Sequence, residues 1–272
     1  FKKGDELWMR LNWNKRWITL AGISNLLGVA FKLKDPEKHL GGDEDLGITC
    51  ALIPSETEGV VLGRRHDPLG IPFHNCPTQG VNVEVPLSYI IGGQDNAGKG
   101  WRMLMESLGA GRGISLPSLA SGGSKLISRM ISSYASVRKQ FGVPIGVLEG
   151  VEEAYAKIIG LTYTMDATRH YTTGALDTGI KPSVVTAITK YSCTEMGRQV
   201  VNHGMDIVGG LGISQGPRNL IANGYHAAPI AITVEGANIL TRTLIIFGQG
   251  LFRAHPFAYD EVDRKSTRLN SS

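Results

Sequence analysis

The chain has 272 residues, of which 42% are hydrophobic and 19% charged, a composition that excludes disordered, collagen-like and disulfide-scaffold classes. Such a length buries a sizeable core in one large or two modest domains. The formal charge of +4 includes three bases and one acid from residues 263–272, so without them it is +2, too small to mark nucleic acid or a membrane surface as a partner.

Residues 263–272 have no apolar period and read like a translated sequencing-library adapter, so they are set aside from the fold. The chain opens on Phe1 in mid-pattern, which reads as a truncated start. Cys50, Cys76 and Cys193 are widely spaced, which indicates free thiols in a reducing compartment. No Cys pair, HExxH or His cluster offers a metal site. The most apolar stretch, 228–248, is interrupted by Glu235, Asn238 and Arg242, which argues against a bilayer span.

In chain order, residues 1–95 read as β. Residues 8–11 and 17–20 are short strands separated by Asn12, Trp13 and Asn14. Residues 25–33 fit strand or helix and are assigned to strand. Residues 47–53 alternate, with Ile48, Cys50 and Leu52 on one face; 60–62 is a short apolar run; Val81, Val83 and Val85 repeat the period of two. Asp35-Pro36, Gly41-Gly42, Asp67-Pro68 and Cys76-Pro77 read as turns. Short strands with polar connections suggest a small barrel or sandwich. The segment GGQDN at 92–96 marks a boundary, after which the period becomes helical. A helix opens at 101–108. Leu126, Met130, Tyr134, Val137 and Phe141 form one stripe, and Val151, Tyr155, Ile158, Leu161 and Met165 another. A third helix follows Pro182 to about Val208, and a fourth covers roughly 233–247. The expected fold is therefore α+β: a β-barrel or sandwich domain over 1–95, then an all-α four-helix bundle over 96–258, then a tail over 259–272.

Five places can carry chemistry. Glu235 is a single acid in an apolar stretch. If buried, it has a raised pKa and is a candidate general base; otherwise it faces solvent near a helix start, where the dipole suits an acid. Trp17 and Thr19 alternate on a strand, so both face one side, able to flank a flat ring and bond its edge, or simply forming a β-rich edge. Arg138 and Phe141, in RKQFG at a helix end, suit either an anion and ring contact or a plain basic last turn. Gly209 and Gly210, in GGLG, allow close approach to a phosphate or make a helix–helix turn. Arg112 lies in a glycine-rich helix interruption, GAGRG, as a pocket cation or a surface arginine.

Taken together, the order of several stretches carries more than any one of them. WNKRWITLA (13–21), DLGITCALIPSETEGVVLGRRHDPLGIPF (45–73), GKGWRMLMESLGAGRGISLPS (98–118), VRKQFGVPIG (137–146) and APIAITVEGANILTR (228–242) follow one another as in a known family. The chain resembles an acyl-CoA dehydrogenase over residues 5–258, and most resembles the large bacterial enzymes acting on medium- and long-chain acyl-CoA. The resemblance implies a missing N-terminal helical domain, a middle β domain and a C-terminal four-helix domain.

It further implies FAD as cofactor. Trp17 and Thr19 match the pair that packs on and hydrogen-bonds the flavin. Arg138 and Phe141 match residues reaching the FAD of a neighbouring subunit, and Gly209 and Gly210 the glycine turn near its pyrophosphate. Glu235, followed by Gly236, matches the catalytic base, and its backbone N–H a carbonyl donor of the substrate site. Arg112 matches an arginine beside the substrate's reacting end. The implied partners are an acyl-CoA, an electron-transfer flavoprotein and at least one more copy of the chain, with no nucleic acid. The implied location is the cytoplasm, with peripheral attachment to the inner membrane as the alternative. Three departures stand out. Asp206 replaces a frequent Gln, Ala237-Asn238 replaces a common Thr-Ser, and Gly111 occupies the position where some relatives keep the base. An oxygen-using oxidase is the first alternative, and a non-enzymatic helical module that kept the fold is the second.

Overall fold

The computed structural model describes residues 1–180, 182–258 and 261. Phe1–Met105 forms one compact unit; a second begins at Glu106. The tail expected over 259–272 lies outside the described residues except for Glu261.

In the first unit, β1 (Lys2–Lys3), β2 (Glu6–Thr19), β5 (Val60–Leu62) and β6 (Asn75–Pro86) form an antiparallel sheet in the order β1-β2-β6-β5. A second antiparallel pair joins β3 (Leu26–Lys34) to β4 (Asp45–Pro54). Met9, Leu11, Val83 and Val85 of the larger sheet share one core with Leu27, Val29 and Ile53 of the smaller. Alternation explains this: every second residue of a strand points to the same face. Among the described residues no closed barrel forms; the sheets keep the sandwich alternative.

Two local expectations are corrected. Residues 8–11 and 17–20 are not separate strands. Residues 8–11 and 17–19 belong to the single 14-residue β2, whose register against β6 shifts between Leu11 and Trp13 and again between Lys15 and Ile18, while Leu20 lies just past its end. Trp13 is not a breaker either. Its ring lies over Gly80, where an added Cβ would come within 2.3 Å of it, and its indole N–H donates to Thr78 Oγ1 at 3.2 Å. Cys76-Pro77 is not a turn but part of β6, with Cys76 opposite Ile18. Pro77 still offers its carbonyl, which accepts from Gly63 N–H at 2.9 Å, so the missing proline N–H costs no pairing on that side.

The helical unit is built on α1 (Gly100–Val137, beginning in the first unit), α2 (Glu149–Asp177) and α3 (Ser183–Val208). The short α4 (Gly210–Ile213) follows α3, and α5 (Ala222–Thr233) packs on α3. The expected fourth helix over 233–247 is broken. Thr233 ends α5, the chain turns at residues 234–237, and helix resumes as α6 (Asn238–Leu240), a π-helical stretch (Thr241–Gln249) and α7 (Gly250–Ala254). The interruption that GAGRG suggested is absent, because α1 runs unbroken through Gly109, Gly111 and Gly113. Gly113 must lack a side chain, because even a Cβ would lie 2.6 Å from Thr186 Cγ2.

The core joins Ile127, Ile131 and Ala135 of α1 to Ile158 and Met165 of α2 and to Cys193, Val200 and Val201 of α3. The second expected stripe fits: Ile158 and Met165 are buried, with Val151, Tyr155 and Leu161 packed beside them. The first stripe fits in part: Met130 and Tyr134 are partly buried and pack against the core, but its other three members do not. Leu126 is 63% exposed and Val137 and Phe141 are exposed too, whereas Ile131 is 0% exposed. Leu126 and Ile127 are both apolar and lie about 100° apart on a helix, so periodicity alone does not choose between them. Among the described residues no single helix is long and apolar enough to cross a membrane; α5 and the helix after the break pass that test only jointly, bent by 40°.

Candidate active site

Glu235 sits in the break between α5 and α6, and the break is shaped by backbone conformation. Glu235 has φ +54° and Gly236 φ +87°, so two consecutive residues are left-handed. Glycine adopts this without penalty; for glutamate it costs about 1–2 kcal/mol. A non-glycine residue held there is a sign of a site that the surrounding structure dictates.

Two cations supply that constraint. Arg112 Nε, from α1, donates to the Glu235 carbonyl at 3.0 Å. Lys190 Nζ, from α3, donates to the Gly236 carbonyl at 2.8 Å and to Asn238 Oδ1 at 2.6 Å. Asn238 then donates to Thr194 Oγ1 at 2.9 Å and Glu195 Oε1 at 3.0 Å. Thr241 Oγ1 also donates to the Gly236 carbonyl, at 3.2 Å. Arg112, Lys190, Asn238, Thr194 and Thr241 are all buried.

These neighbours define the electrostatics. Partial burial raises the Glu235 carboxyl above its ordinary value, while Lys190 and then Arg112 pull it back. Burial pushes the Lys190 ammonium down to about 8, against an attraction from Glu235. Burial likewise lowers Arg112, opposed by Glu235. The wholly apolar pocket that would isolate Glu235 from water is not what surrounds it. Its side chain remains exposed, and its nearest charges are two cations.

The other expected residues fall into two groups. Trp17 is 69% exposed and its ring lies against His66, with centroids 4.4 Å apart and planes tilted by 40°. His66 Nδ1 is in turn hydrogen-bonded to the buried Asn75 Oδ1 at 2.5 Å. Trp17 has φ +63° and lies within the second register shift of β2, so simple alternation does not set its direction relative to Thr19. Thr19 is exposed and pairs with Asn75.

Arg138 directly follows α1. Phe141 and Gly142 then form the two-residue loop between β7 (Lys139–Gln140) and β8 (Val143–Pro144), with φ +52° and +81°. This is the type I′ geometry of a tight hairpin, and it leaves Phe141 93% exposed. Gly209 closes α3 with φ +57°, and Gly210 opens α4; both are exposed. Tyr134 Oη reaches the Val208 carbonyl at 3.5 Å, so the root of the hairpin and the glycine turn share one end of the helical unit.

Residues 98–248 match the C-terminal domain of acyl-CoA dehydrogenases, and residues 2–83 match the middle domain. The chain belongs to the acyl-CoA dehydrogenase family. Protein HemX of Proteus mirabilis is 56% identical over 96 residues, 35% of this chain and 56% of that protein. The probable acyl-CoA dehydrogenase FadE10 of Mycobacterium tuberculosis is 28% identical over 242 residues, 85% of this chain and 36% of that protein. The fold is that of butyryl-CoA dehydrogenase from Megasphaera elsdenii, with TM-score 0.79 and 24% identity, covering 92% of this chain and 62% of that one. The chain thus spans between 36% and 62% of the length of these acyl-CoA dehydrogenases and of HemX.

Sequence reading overlooked Lys190, Thr194 and Glu195, and it treated Asn238 only as a departure from the family's pattern. The one signal available was a lysine inside the otherwise uncharged helical run TAITKYSC.

Proposed function

We propose that the protein is an FAD-dependent acyl-CoA dehydrogenase whose general base is Glu235, converting a medium- or long-chain acyl-CoA to the trans-2-enoyl-CoA. The observation that carries this reading is the Glu235 carboxyl itself. It is raised by burial and borne on a left-handed break that two buried cations hold by its carbonyls.

The chain's residues have these roles. Glu235 takes the substrate's α-proton onto a carboxylate oxygen. Partial burial makes it a stronger base than a solvated glutamate, and Lys190 and Arg112 keep it ionisable. The Glu235 backbone N–H, with Gly236 behind it, faces the thioester carbonyl and stabilises the charge that develops there. Arg112 closes the reacting end of the site. FAD, held by Trp17 and Thr19, would supply the two-electron acceptor for the substrate's β-hydrogen.

The residues present fit such a group. The exposed, His66-backed indole of Trp17 offers a flat apolar face with Thr19 as a polar neighbour. Phe141, Arg138, Gly209 and Gly210 offer an aromatic tip, a cation and open backbone at one end of the helical unit. These four serve the FAD of a neighbouring copy, which makes the active protein at least a dimer. Electron-transfer flavoprotein takes the electrons onward, and the protein works in the cytoplasm.

The test uses the FAD-loaded protein and its Glu235→Gln variant under anaerobic conditions, with butyryl-, dodecanoyl- and hexadecanoyl-CoA. Bleaching of the flavin by the two longer substrates, lost in the variant while FAD stays bound, is the expected result. Bleaching that persists in the variant rejects Glu235 as the base, and bleaching by butyryl-CoA alone rejects the chain-length assignment. Reoxidation by oxygen rather than by electron-transfer flavoprotein marks an oxidase.

A further inference from the structure

Lys190 is among the largest fully buried side chains of the protein, with 0% exposure. An ammonium in such a place is retained against a strong desolvation penalty, and an unbranched apolar side chain of similar length would fill the same volume without it. The charge therefore needs a use. Its two acceptors are the Gly236 carbonyl and Asn238 Oδ1. Both belong to the break that carries Glu235, 46 residues or more along the chain. A break between helices leaves carbonyls without intrahelical donors. At this one, Arg112 takes the Glu235 carbonyl and Lys190 takes the next. Asn238 ties the arrangement back to α3 through Thr194 and Glu195, one turn along from Lys190.

We propose that Lys190 is a positioning residue: its buried ammonium locks the left-handed Glu235–Gly236 break and thereby fixes where the Glu235 carboxylate stands and how readily it ionises. The assignment rests on the reading of Glu235 as the base. The charged groups that face Lys190 are Glu235 from the break, Arg112 from α1 and Glu195 from α3. Removing the Lys190 charge leaves Glu235 with one cation instead of two. Its titration then moves upward, a response that loss of packing alone does not produce. Acting through Glu235, Lys190 touches neither substrate nor flavin.

The test compares the full chain with Lys190→Met, which removes both charge and donor, and Lys190→Gln, which removes the charge but keeps a donor. Glu235 titration is followed by carbon NMR of labelled glutamate, and amide hydrogen exchange is followed across residues 234–241. In Lys190→Met, exchange there is expected to quicken at least about ten-fold while α2 keeps its protection, and the Glu235 titration to rise by about one pH unit. Lys190→Gln is expected to show the same rise with a smaller change in exchange, and it decides the matter if Lys190→Met does not fold. Unchanged exchange and unchanged Glu235 titration in a folded variant overturn the proposal. Flavin bleaching by acyl-CoA in the unsubstituted protein is read separately. Its absence rejects Glu235 as a base, whereas the hold of Lys190 on the break is decided by exchange and titration.

Discussion

Arg112 grips Glu235 by its backbone and not by its carboxylate: Nε lies 3.0 Å from the Glu235 carbonyl oxygen. The carboxylate is thereby left to titrate and react while its main chain is held. Arg112 is 7% exposed, and burial already disfavours its charge. Arg112→Lys keeps the charge but lacks the planar Nε donor. It is expected to cost about 1.5–3 kcal/mol of stability, the usual range for a hydrogen bond to a charged group, with little change in the Glu235 titration. Arg112→Met is expected to lose the same stability and to raise that titration. Thermal denaturation and NMR titration separate the two.

Glu235 combines a left-handed φ of +54° with a carboxyl that partial burial raises, although the residue itself is exposed. A carboxyl raised in the folded state binds more protons there than in the unfolded chain. Its contribution is present below the ordinary value of 4.5 and is lost as pH rises through the folded value, so at neutral pH it weakens the fold. Glu235→Asn removes the charge and installs a residue that tolerates left-handed backbone. The variant is expected to be inactive and, from relief of the left-handed strain alone, more stable by up to about 1 kcal/mol, or about 2–4 °C in melting temperature. Calorimetry at pH 7 checks it, and a lowered melting temperature contradicts it.

Lys190 gives a second pH dependence of definite sign. Its folded value of about 8 lies below its ordinary 10.5, so between these values the unfolded chain binds more protons than the folded one. Stability from this group therefore rises as pH increases from about 8 to 10.5, by about 3 kcal/mol at most. Below pH 8 the full burial penalty is present. Urea unfolding at pH 7.5 and pH 10 is expected to show the rise in the parent protein and to lose that component in Lys190→Met, which titrates nothing there.

Phe141 occupies the first loop position of a two-residue hairpin with φ +52°, and Gly142 the second. Asparagine is preferred at that position of a type I′ turn. Phe141→Asn is expected to leave the fold as stable or up to about 1 kcal/mol more so, because an aromatic ring 93% exposed contributes little packing. The same change is expected to weaken FAD retention and association between copies. Gel filtration and the flavin-to-protein absorbance ratio report both.

On α1 the packing assignment predicts unequal effects for two apolar residues of the same helix. Ile131→Ala removes a side chain with 0% exposure and is expected to cost about 2–5 kcal/mol. Leu126→Ala, at a site 63% exposed, is expected to change stability by less than about 0.5 kcal/mol. Denaturant midpoints measured side by side decide whether Ile127, Ile131 and Ala135 form the buried face.

Much of the architecture was legible without coordinates, because its signals are local. The period of two across Val81, Val83 and Val85 and the step from Pro182 into a helix ending at Val208 both depend on neighbours a few residues away. The joint order of motifs around Trp17, Arg112, Arg138 and Glu235 likewise identified the family that residues 2–83 and 98–248 match.

The face of α1 that turns inward, the break before Asn238 and the burial of Lys190 were decided by tertiary structure alone. Ile127 beats Leu126 for the core only because α2 and α3 approach from that side. A lysine flanked by apolar and hydroxyl residues reads as a solvated point on a helix until a carbonyl from 46 residues further on reaches its ammonium. Side-chain chemistry and short-range period are written in the chain, whereas desolvation and the partner that compensates it arise only when distant segments meet.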